Sequence, residues 1–278
     1  MKVFDLHLHS NFSDGTLSVE QLLKKAKNRS LEIVSITDHD TIDSQKDAVK
    51  LAKKHNINYI PGVEINVEFP THMDLLGYGI DITSFELKEF LDFLTYKREA
   101  RNKKMISLLQ KKGFKINYDE VIEFSAGDII GRPHIAKLLL KKGYGTSISE
   151  IINTYLTRGK ECFLERFKFS PKDTIKMIKK QGGLAFLAHP FKINLKNYQL
   201  EILLEELKFY GLDGIEIFHY THSPQYINYL LEIAEKKKLM ISGGSDFHGL
   251  NKPYVTFGVS TEKKIGEKII KNFYNLCV

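Results

Sequence analysis

Short apolar runs alternate with segments of helical period along much of this chain, and few fold classes accommodate that alternation. In its first part the predicted strands are Val3–Leu6, Ile33–Ile36, Tyr59–Ile65 and Leu75–Tyr78. The predicted helices between them are Val19–Ala26 and Asp43–Lys54. After Pro171 a predicted helix runs through Lys180, and two more follow at Leu200–Phe209 and Pro224–Lys237. The predicted strands that alternate with them are Leu184–Ala188, Gly214–Phe218 and Leu239–Gly243, and a last strand and helix close the chain. Strands that alternate with helices in this way pair mainly in parallel, so the sequence predicts an α/β fold.

Residues from about 84 to 169 interrupt the alternation and are predicted to be mostly helical. A long charged helix runs to Lys112 and is stopped by Gly113, and shorter helices follow around His134–Lys142 and Ile148–Tyr155. The 278 residues fall within the range of one α/β barrel, which typically needs about 250. We therefore expect one domain over 1–278 with a helical insertion at about 84–169.

The charge balance and the cysteines indicate where the protein works and what it binds. Lys and Arg number 41 against 34 Asp and Glu, which favours an anionic partner, although a lysine-rich surface also confers solubility. Cys162 and Cys277 are far apart and outside any CxxC spacing, as in proteins of a reducing cytoplasm. The first residues lack the features of a signal peptide, and no apolar run reaches the length of a membrane span. We expect a cytoplasmic protein without an obligate protein partner.

Side chains that can bind metal ions fall almost entirely at the ends of the predicted strands. They are His7, His9, Asp14, His39, Glu64, His189, Asp246 and His248. Each alone would more often be a surface residue, but two pairs spaced two apart and four single residues would require repeated coincidence. Because the carboxyl ends of parallel strands carry the site in α/β folds, we expect these side chains to converge.

A ligand set of nitrogen and oxygen without sulfur suits manganese, zinc or iron, and its size predicts two to three divalent ions. Neighbouring cations of this kind activate water and stabilise in-line attack on phosphorus, so the sequence predicts a metal-dependent phosphoesterase. No serine nucleophile elbow or P-loop pattern points to a covalent alternative.

Several motifs resemble those of the polymerase and histidinol phosphatase (PHP) superfamily, in its stand-alone bacterial branch. They are Asp5-Leu6-His7-Leu8-His9-Ser10, Thr37-Asp38-His39-Asp40, Gly62-Val63-Glu64-Ile65, Gly131-Arg132-Pro133-His134-Ile135-Ala136, Ala188-His189-Pro190 and Gly243-Gly244-Ser245-Asp246-Phe247-His248-Gly249. The resemblance covers essentially the whole chain. It implies a distorted seven-stranded β/α barrel with a helical insertion and a trinuclear metal site.

The same resemblance implies a phosphorylated nucleotide or short RNA as substrate. Members of the branch include a phosphatase of nucleoside 3′,5′-bisphosphates and an exoribonuclease that works from the 5′ end. Two alternatives stay open: a histidinol-phosphate phosphatase, against which the insertion and the Gly131–Ala136 motif argue, and a non-catalytic module that binds nucleotide or RNA. Such a module would be expected to have lost ligands, whereas only one family position is altered here.

That altered position is Asp74, where similar proteins usually have a histidine three residues before the glycine of the strand 75–78. His72 lies two residues earlier and, on a strand, would face the same side. Asp74 needs no shift of register and is favoured as the ligand, with His72 as the alternative. A carboxylate here makes the set more anionic and favours manganese over zinc.

The insertion supplies candidate contacts to the substrate. Arg132 precedes a predicted helix together with His134, and guanidinium is the preferred two-pronged partner of phosphate. In similar proteins this motif contacts substrate phosphate. Arg98 and Arg101 on the long helix are further candidates, although a solvated helix face also explains them.

Overall fold

The computed structural model describes residues 1–125 and 130–278, and it divides them into two compact units. One, the sheet unit, comprises Met1–Leu91 and Lys168–Val278. The other, the helical unit, comprises Asp92–Phe167. Part of the expected insertion, residues 126–129, lies outside the described residues.

The sheet unit contains the strands, which are short and, apart from β8, mostly buried. In chain order they are β1 Lys2–Leu8, β2 Val34–Ile36, β3 Gly62–Asn66, β4 Asp74–Tyr78, β5 Leu184–Leu187, β6 Gly214–Phe218, β7 Met240–Gly243 and β8 Val259–Thr261. They form a three-stranded sheet of order β2-β1-β8 and a five-stranded sheet of order β3-β4-β5-β6-β7. With the helices between them, these sheets confirm the α/β class.

The strand directions follow from the lengths of the connections. β5, β6 and β7 run parallel, as do β1 and β2, because a helix connects each to the next. β3 and β4 are antiparallel, since residues 67–73 are too few for a helical crossover. Isolated bridges pair Val34 with Tyr59, His39 with Glu64 and Leu8 with Phe247, so the edges of the two sheets approach each other. Ladder pairing within the described residues gives two sheets and no closed barrel.

Helices cover the strands of the sheet unit, and their termini show how the sequence positions them. They are α1 Val19–Asn28, α2 Gln45–His55, the first part of α3 Phe85–Lys111, and, after the helical unit, Pro171–Lys180, Asn197–Tyr210, Pro224–Lys236 and Lys263–Tyr274. Ser18 caps α1 reciprocally with Gln21, which satisfies free N–H groups at the helix start. Leu22, Leu23 and Ala26 of α1 pack with Val34 and Ile36 of β2 in one buried cluster.

The helical unit has a core of its own. It contains the rest of α3, then α4 Tyr118–Ser125, α5 Arg132–Lys141 and α6 Ile148–Ile151, which continues as a π-helical turn Ile152–Leu156. Gly113 adopts a positive φ of 92° just after α3, as expected of the residue that ends the helix. Met105, Leu109, Ile135 and Leu139 are fully buried together.

The four helices that follow the helical unit belong to the sheet unit and are α7 Pro171–Lys180, α8 Asn197–Tyr210, α9 Pro224–Lys236 and α10 Lys263–Tyr274. No helix in the described residues is long and apolar enough to cross a membrane.

Candidate metal centre

Glu64 lies at the centre of the converging side chains. It is fully buried on β3, and its Oε2 lies 3.2 Å from Nε2 of His7, 3.2 Å from Nε2 of His9 and 3.1 Å from Nδ1 of His39. Its Oε1 lies 2.9 Å from Nε2 of His189. Burial alone would raise the pKa of Glu64, but the surrounding histidines hold it well below its usual value. This carboxylate is therefore ionised and contacts four imidazoles of the cluster, with which it could hold a cation.

Two further carboxylates, Asp14 and Asp246, extend the cluster, and that of Asp14 reaches solvent. Asp246 Oδ1 lies 3.3 Å from Nε2 of His9, and Asp14 Oδ1 lies 3.1 Å from Nε2 of His248 and 3.5 Å from Nδ1 of His9. Asp14 Oδ2 lies 3.9 Å from Nε2 of His39. The Asp14 side chain is 43% exposed and that of His39 27%, whereas His9 is fully buried. The site therefore opens on the side of Asp14 and His39.

All eight candidate ligands, seven predicted at strand ends and Asp14 in the loop after the first strand, are thus brought together. Their ligand atoms form three overlapping groups, each spanning no more than 4.8 Å: His9, Asp14, His39 and His248; His7, His9 and Asp246; His7, Glu64 and His189. Each group has donor types that suit a divalent cation, and the shared members His7 and His9 make the three groups neighbours.

Several nitrogen and oxygen atoms of the cluster are buried without a hydrogen bond. Such atoms indicate whether the residues suit bound cations. His7 Nε2, His9 Nε2, Asp14 Oδ1, Glu64 Oε2 and Asp74 Oδ2 are all in this state. Each lies at ion-pair distance from an imidazole or a carboxylate of the surrounding residues, yet the geometry is not that of a hydrogen bond. A buried polar atom without a partner is costly, and cations at the centre of these atoms would satisfy them together. The residues fit a multinuclear metal centre.

Asp74 and His72 both lie beside this cluster, on the edge nearest His189. Asp74 Oδ2 lies 2.6 Å from Nε2 of His72 and 3.5 Å from Nε2 of His189. Asp74 is fully buried, and the His72 side chain is 56% exposed. Burial and the charge of Glu64 raise the pKa of Asp74, but His72 lowers it, to about 2. The ionised carboxylate therefore faces the cluster, with His72 behind it towards solvent, and the choice of Asp74 as ligand stays a prediction.

Glu216 supports the cluster and was missed by the sequence analysis. Its Oε1 lies 2.9 Å from Nδ1 of His7, and its Oε2 accepts a hydrogen bond of 2.7 Å from the backbone N–H of His189. Burial would raise the pKa of Glu216, but the positive charge of His7 lowers it to about 2. A carboxylate behind a histidine fixes the ring and leaves Nε2 to the metal. The only signal in the sequence was a single acid within the apolar strand Gly214–Phe218.

His219, Lys192 and Lys252 were also missed, and all three reach Asp246. The Nζ atoms of Lys192 and Lys252 lie 2.7 Å and 2.8 Å from Asp246 Oδ2, and His219 Nε2 lies 3.3 Å from the same oxygen. Burial lowers the pKa of His219 to about 4, so its imidazole is neutral near pH 7. Two ammonium groups beside the predicted ligands favour the binding of an anion. These residues follow strands β5, β6 and β7, but their spacing carries no recognisable pattern.

Two aspartates tie the loops of the cluster to the strands. Asp5 accepts hydrogen bonds from the backbone N–H and the hydroxyl of Ser245, at 2.8 Å and 2.5 Å, which joins β1 to the loop that carries Asp246. Asp38 accepts from the backbone N–H and hydroxyl of Ser10, at 2.8 Å and 2.7 Å. Both belong to the motifs noted in the sequence, and here they position neighbouring ligands.

The backbone at two of the candidate ligands is strained. His189 has a φ of 25° and Asp246 a φ of 54°, a region that residues other than glycine rarely adopt. His189 is held there by Glu216, and the N–H of Asp246 donates to the carbonyl of His7 at 2.9 Å. Strained residues concentrate at functional sites, where the surroundings impose a required geometry.

Two of the candidate residues in the helical unit, Arg101 and Arg132, lie against the ring of Phe163. The guanidinium carbons of Arg101 and Arg132 lie 5.7 Å and 5.6 Å from its ring centroid. Arg101 Nε donates to the carbonyl of Leu164 at 2.7 Å, and Arg132 Nη1 donates to that of Leu156 at 3.2 Å. Burial, and then the charge of Arg132, lower the pKa of Arg101 to about 10. Like charges held this close favour an anion between them.

The other two candidates in this unit occupy helix positions. Arg98 is nearly buried on α3, which contradicts a solvated face at this residue. His134 Nδ1 accepts from the backbone N–H of Gly131 at 3.2 Å at the start of α5. His134 thus has a local structural role, and binding of substrate by Arg98, Arg101, Arg132 and His134 stays a prediction.

Comparisons with known proteins agree with this geometry. The family model described as the PHP domain matches residues 5–166. The chain is 31% identical to the 5′-3′ exoribonuclease Rnm of Escherichia coli, over 88% of this chain and 85% of the relative. It is 29% identical to the 3′,5′-nucleoside bisphosphate phosphatase of Chromobacterium violaceum, over 89% and 88%. Among solved structures it resembles a Bifidobacterium adolescentis protein assigned as a metal-dependent phosphoesterase, with a TM-score of 0.79, 27% identity and coverage of 96% and 95%.

Proposed function

Because this chain belongs to the PHP-domain family, we propose that its cluster is the metal centre of an enzyme that hydrolyses phosphate esters of nucleotides or short RNA. The chain is a metal-dependent phosphoesterase of that family. The observation that carries the proposal is the convergence of buried imidazoles and carboxylates whose facing atoms lack hydrogen bonds. Such a set is costly without cations and well suited to them.

We assign two to three divalent ions to the centre. The three overlapping groups support this number: they are adjacent because His9 belongs to the first and second and His7 to the second and third. Asp74 lies within reach of the group that contains His189 and adds a carboxylate to it. Oxygen ligands favour harder cations, so manganese is the first choice, with zinc or iron as the alternatives.

Bound divalent cations would supply an activated water and neutralise the charge that develops on the phosphoryl oxygens. The residues around them have distinct tasks. Glu216 holds the ring of His7, and it keeps His189 in its strained conformation. Lys192 and Lys252 point their ammonium groups at Asp246, where they can bind a phosphoryl oxygen of an incoming ester. His219 is neutral and buried beside the same carboxylate, and can transfer a proton through Nε2.

The names of the relatives and the charges of the chain support nucleotides or short RNA as the substrates. The relatives named above act on nucleoside bisphosphates or on RNA. Arg132 and Arg101 are our candidates for holding a phosphate that is not cleaved, because like charges gathered around Phe163 favour a dianion. Binding energy from such a remote group can orient the reacting ester.

Turnover assays with the manganese-loaded enzyme test the proposal. The substrates are a nucleoside 3′,5′-bisphosphate, a short 5′-phosphorylated RNA and histidinol phosphate, and the metal-site variant His9→Ala is the control. We expect hydrolysis of one or both of the first two, and none by the control. Hydrolysis of histidinol phosphate alone would favour that phosphatase instead, and binding of nucleotide without any turnover would indicate a non-catalytic module.

Finer points of architecture belong to the same proposal. The bridges between the two sheets support a distorted barrel of the PHP type in which β1 and the loop after β7 close one side. One domain with a helical insertion, a cytoplasmic location and the absence of an obligate protein partner are likewise proposed from the sequence.

A further inference from the structure

We propose that Tyr220 and Tyr254 form a stacking subsite for the nucleobase of the substrate, at the edge of the metal centre. The proposal rests on the proposed function, and it deepens it by giving the reason why an ester that carries a base would be preferred over a simple sugar phosphate.

Tyr220 lies one side chain away from the predicted metal ligands. Its ring centroid is 4.5 Å from that of His219, whose Nε2 lies 3.3 Å from Asp246 Oδ2. The ammonium of Lys192 lies between Asp246 and the Tyr220 ring, because its Nζ is 2.7 Å from Asp246 Oδ2 and 5.7 Å from the centroid of that ring. A phosphate held at Lys192 therefore brings the rest of its nucleotide to Tyr220.

The two tyrosine rings contact each other and are both open to solvent at this place. Their centroids are 5.9 Å apart and their planes are inclined at 60°. Tyr254 is 71% exposed and Tyr220 41%. Tyr254 follows Lys252, which also reaches Asp246. Two exposed rings interleaved with two lysines beside a phosphate-cleaving centre match the pattern by which proteins bind nucleotides, with ammonium groups on the phosphate and rings on the base.

Stacking also explains why rings rather than hydrogen-bonding groups stand at this edge. Every nucleobase has a flat π-face, so an aromatic side chain binds any of the bases without reading its sequence. The subsite would accept a range of nucleotides, as an enzyme that acts on mixed nucleotides or RNA requires. A sugar phosphate lacks such a flat face and would gain much less from the rings.

Solvent exposure does not by itself identify a base-binding ring, since other aromatic residues are equally exposed. Phe209 is 87% exposed at the end of α8, where it packs against Tyr210. It precedes β6, whereas the metal centre lies beyond the carboxyl ends of the strands. Phe209 therefore serves as the matched control for an exposed ring outside the subsite.

Binding of 1,N6-ethenoadenosine 5′-monophosphate to the metal-loaded protein tests the proposal directly. The chain has no tryptophan, so the fluorescence of the probe is measured against little background. We expect Tyr220→Ala and Tyr254→Ala each to weaken binding roughly five- to a hundredfold, as is typical when a stacking ring is removed. Tyr220→Phe and Tyr254→Phe retain the ring and should bind like the wild type, and so should Phe209→Ala.

Turnover gives a second, independent readout. The loss of kcat/KM caused by each alanine variant should be at least about fivefold greater for adenosine 3′,5′-bisphosphate than for ribose 5-phosphate. Equal losses for the two esters, unchanged binding of the probe by the alanine variants, or an equal loss in the phenylalanine variants would each overturn the stacking subsite. If the wild type hydrolysed neither ester nor the short 5′-phosphorylated RNA, the proposed function would fail, and the probe would still decide on stacking.

Discussion

Replacing Glu216 by glutamine should weaken metal binding without unfolding the protein. The carboxylate makes two buried contacts, 2.9 Å to Nδ1 of His7 and 2.7 Å from the N–H of His189. An amide of the same shape has one oxygen and one NH2 group, so it can accept a hydrogen bond from only one of these two groups, the His7 ring or the His189 N–H. If its NH2 faces Nδ1 of His7, the ring proton moves to Nε2, the atom that should bind metal.

The size of this effect follows from the position of Glu216 behind the ligands. Loss of such a carboxylate typically lowers metal affinity about 10- to 100-fold, or about 1.4–2.7 kcal/mol. Titration of the metal-free protein with Mn²⁺ in a calorimeter measures this change. Circular dichroism and thermal unfolding should show that Glu216→Gln still folds.

Glu206→Gln is the matched control for this experiment. Glu206 lies exposed on α8, where it accepts a hydrogen bond of 2.6 Å from Tyr210. Its variant should bind manganese like the wild type. If Glu216→Gln binds manganese as tightly as Glu206→Gln does, Glu216 does not position the ligands and the reasoning is wrong.

Three further substitutions test other parts of the account. Asp74→Ala should lower metal content and activity more than His72→Ala, and the opposite ranking would make His72 the ligand on this strand. Arg132→Ala should slow hydrolysis of a nucleoside bisphosphate about ten- to a hundredfold more than that of a chromogenic monoester, measured at equal metal loading; equal losses would contradict a separate phosphate contact. In Gly244→Ala the new Cβ would lie 2.2 Å from Cβ of His7, so we expect about 1–3 kcal/mol of lost stability in denaturant titrations, and an unchanged midpoint would refute this packing argument.

The candidate metal ligands were accessible to sequence analysis because nearly all of them close an apolar run, and Asp14 lies in the loop after one. A buried strand gives a clear signal, and the residue at its carboxyl end is then located without knowledge of the tertiary structure. His7 and Asp246 are distant in sequence, yet both were placed at the same edge by this reasoning. The structure brings them together, with 3.8 Å between His7 Nε2 and Asp246 Oδ1.

The supporting residues were not accessible in the same way. Glu216 alternates with apolar neighbours on β6, as would an acid on any half-exposed strand, and only the packing of His7 against it shows that it points inward. Lys192 and Lys252 follow different strands, and nothing in the sequence indicates that both reach one oxygen of Asp246. Such contacts depend on how loops fold over a site, which local patterns do not determine.

The arrangement of the strands shows a similar limit. The alternation of strands and helices predicted the α/β class, but it did not predict that β3 and β4 pair antiparallel. That pairing follows from the short connection at residues 67–73, which sets the direction of β4. The direction in turn places the start of β4 beside the end of β3, so that Asp74 lies opposite Asn66 and faces His189.

Metal content is the measurement that tests the central claim most directly. Protein purified without chelators and loaded under controlled conditions should carry more than one equivalent of manganese, iron or zinc by elemental analysis. Removal of the metal by a chelator should abolish hydrolysis, and His9→Ala and Asp246→Ala should do likewise because each removes a member of the overlapping groups. Carefully loaded protein that holds no more than a trace of metal, or that hydrolyses its substrate equally well after chelation, would contradict the account.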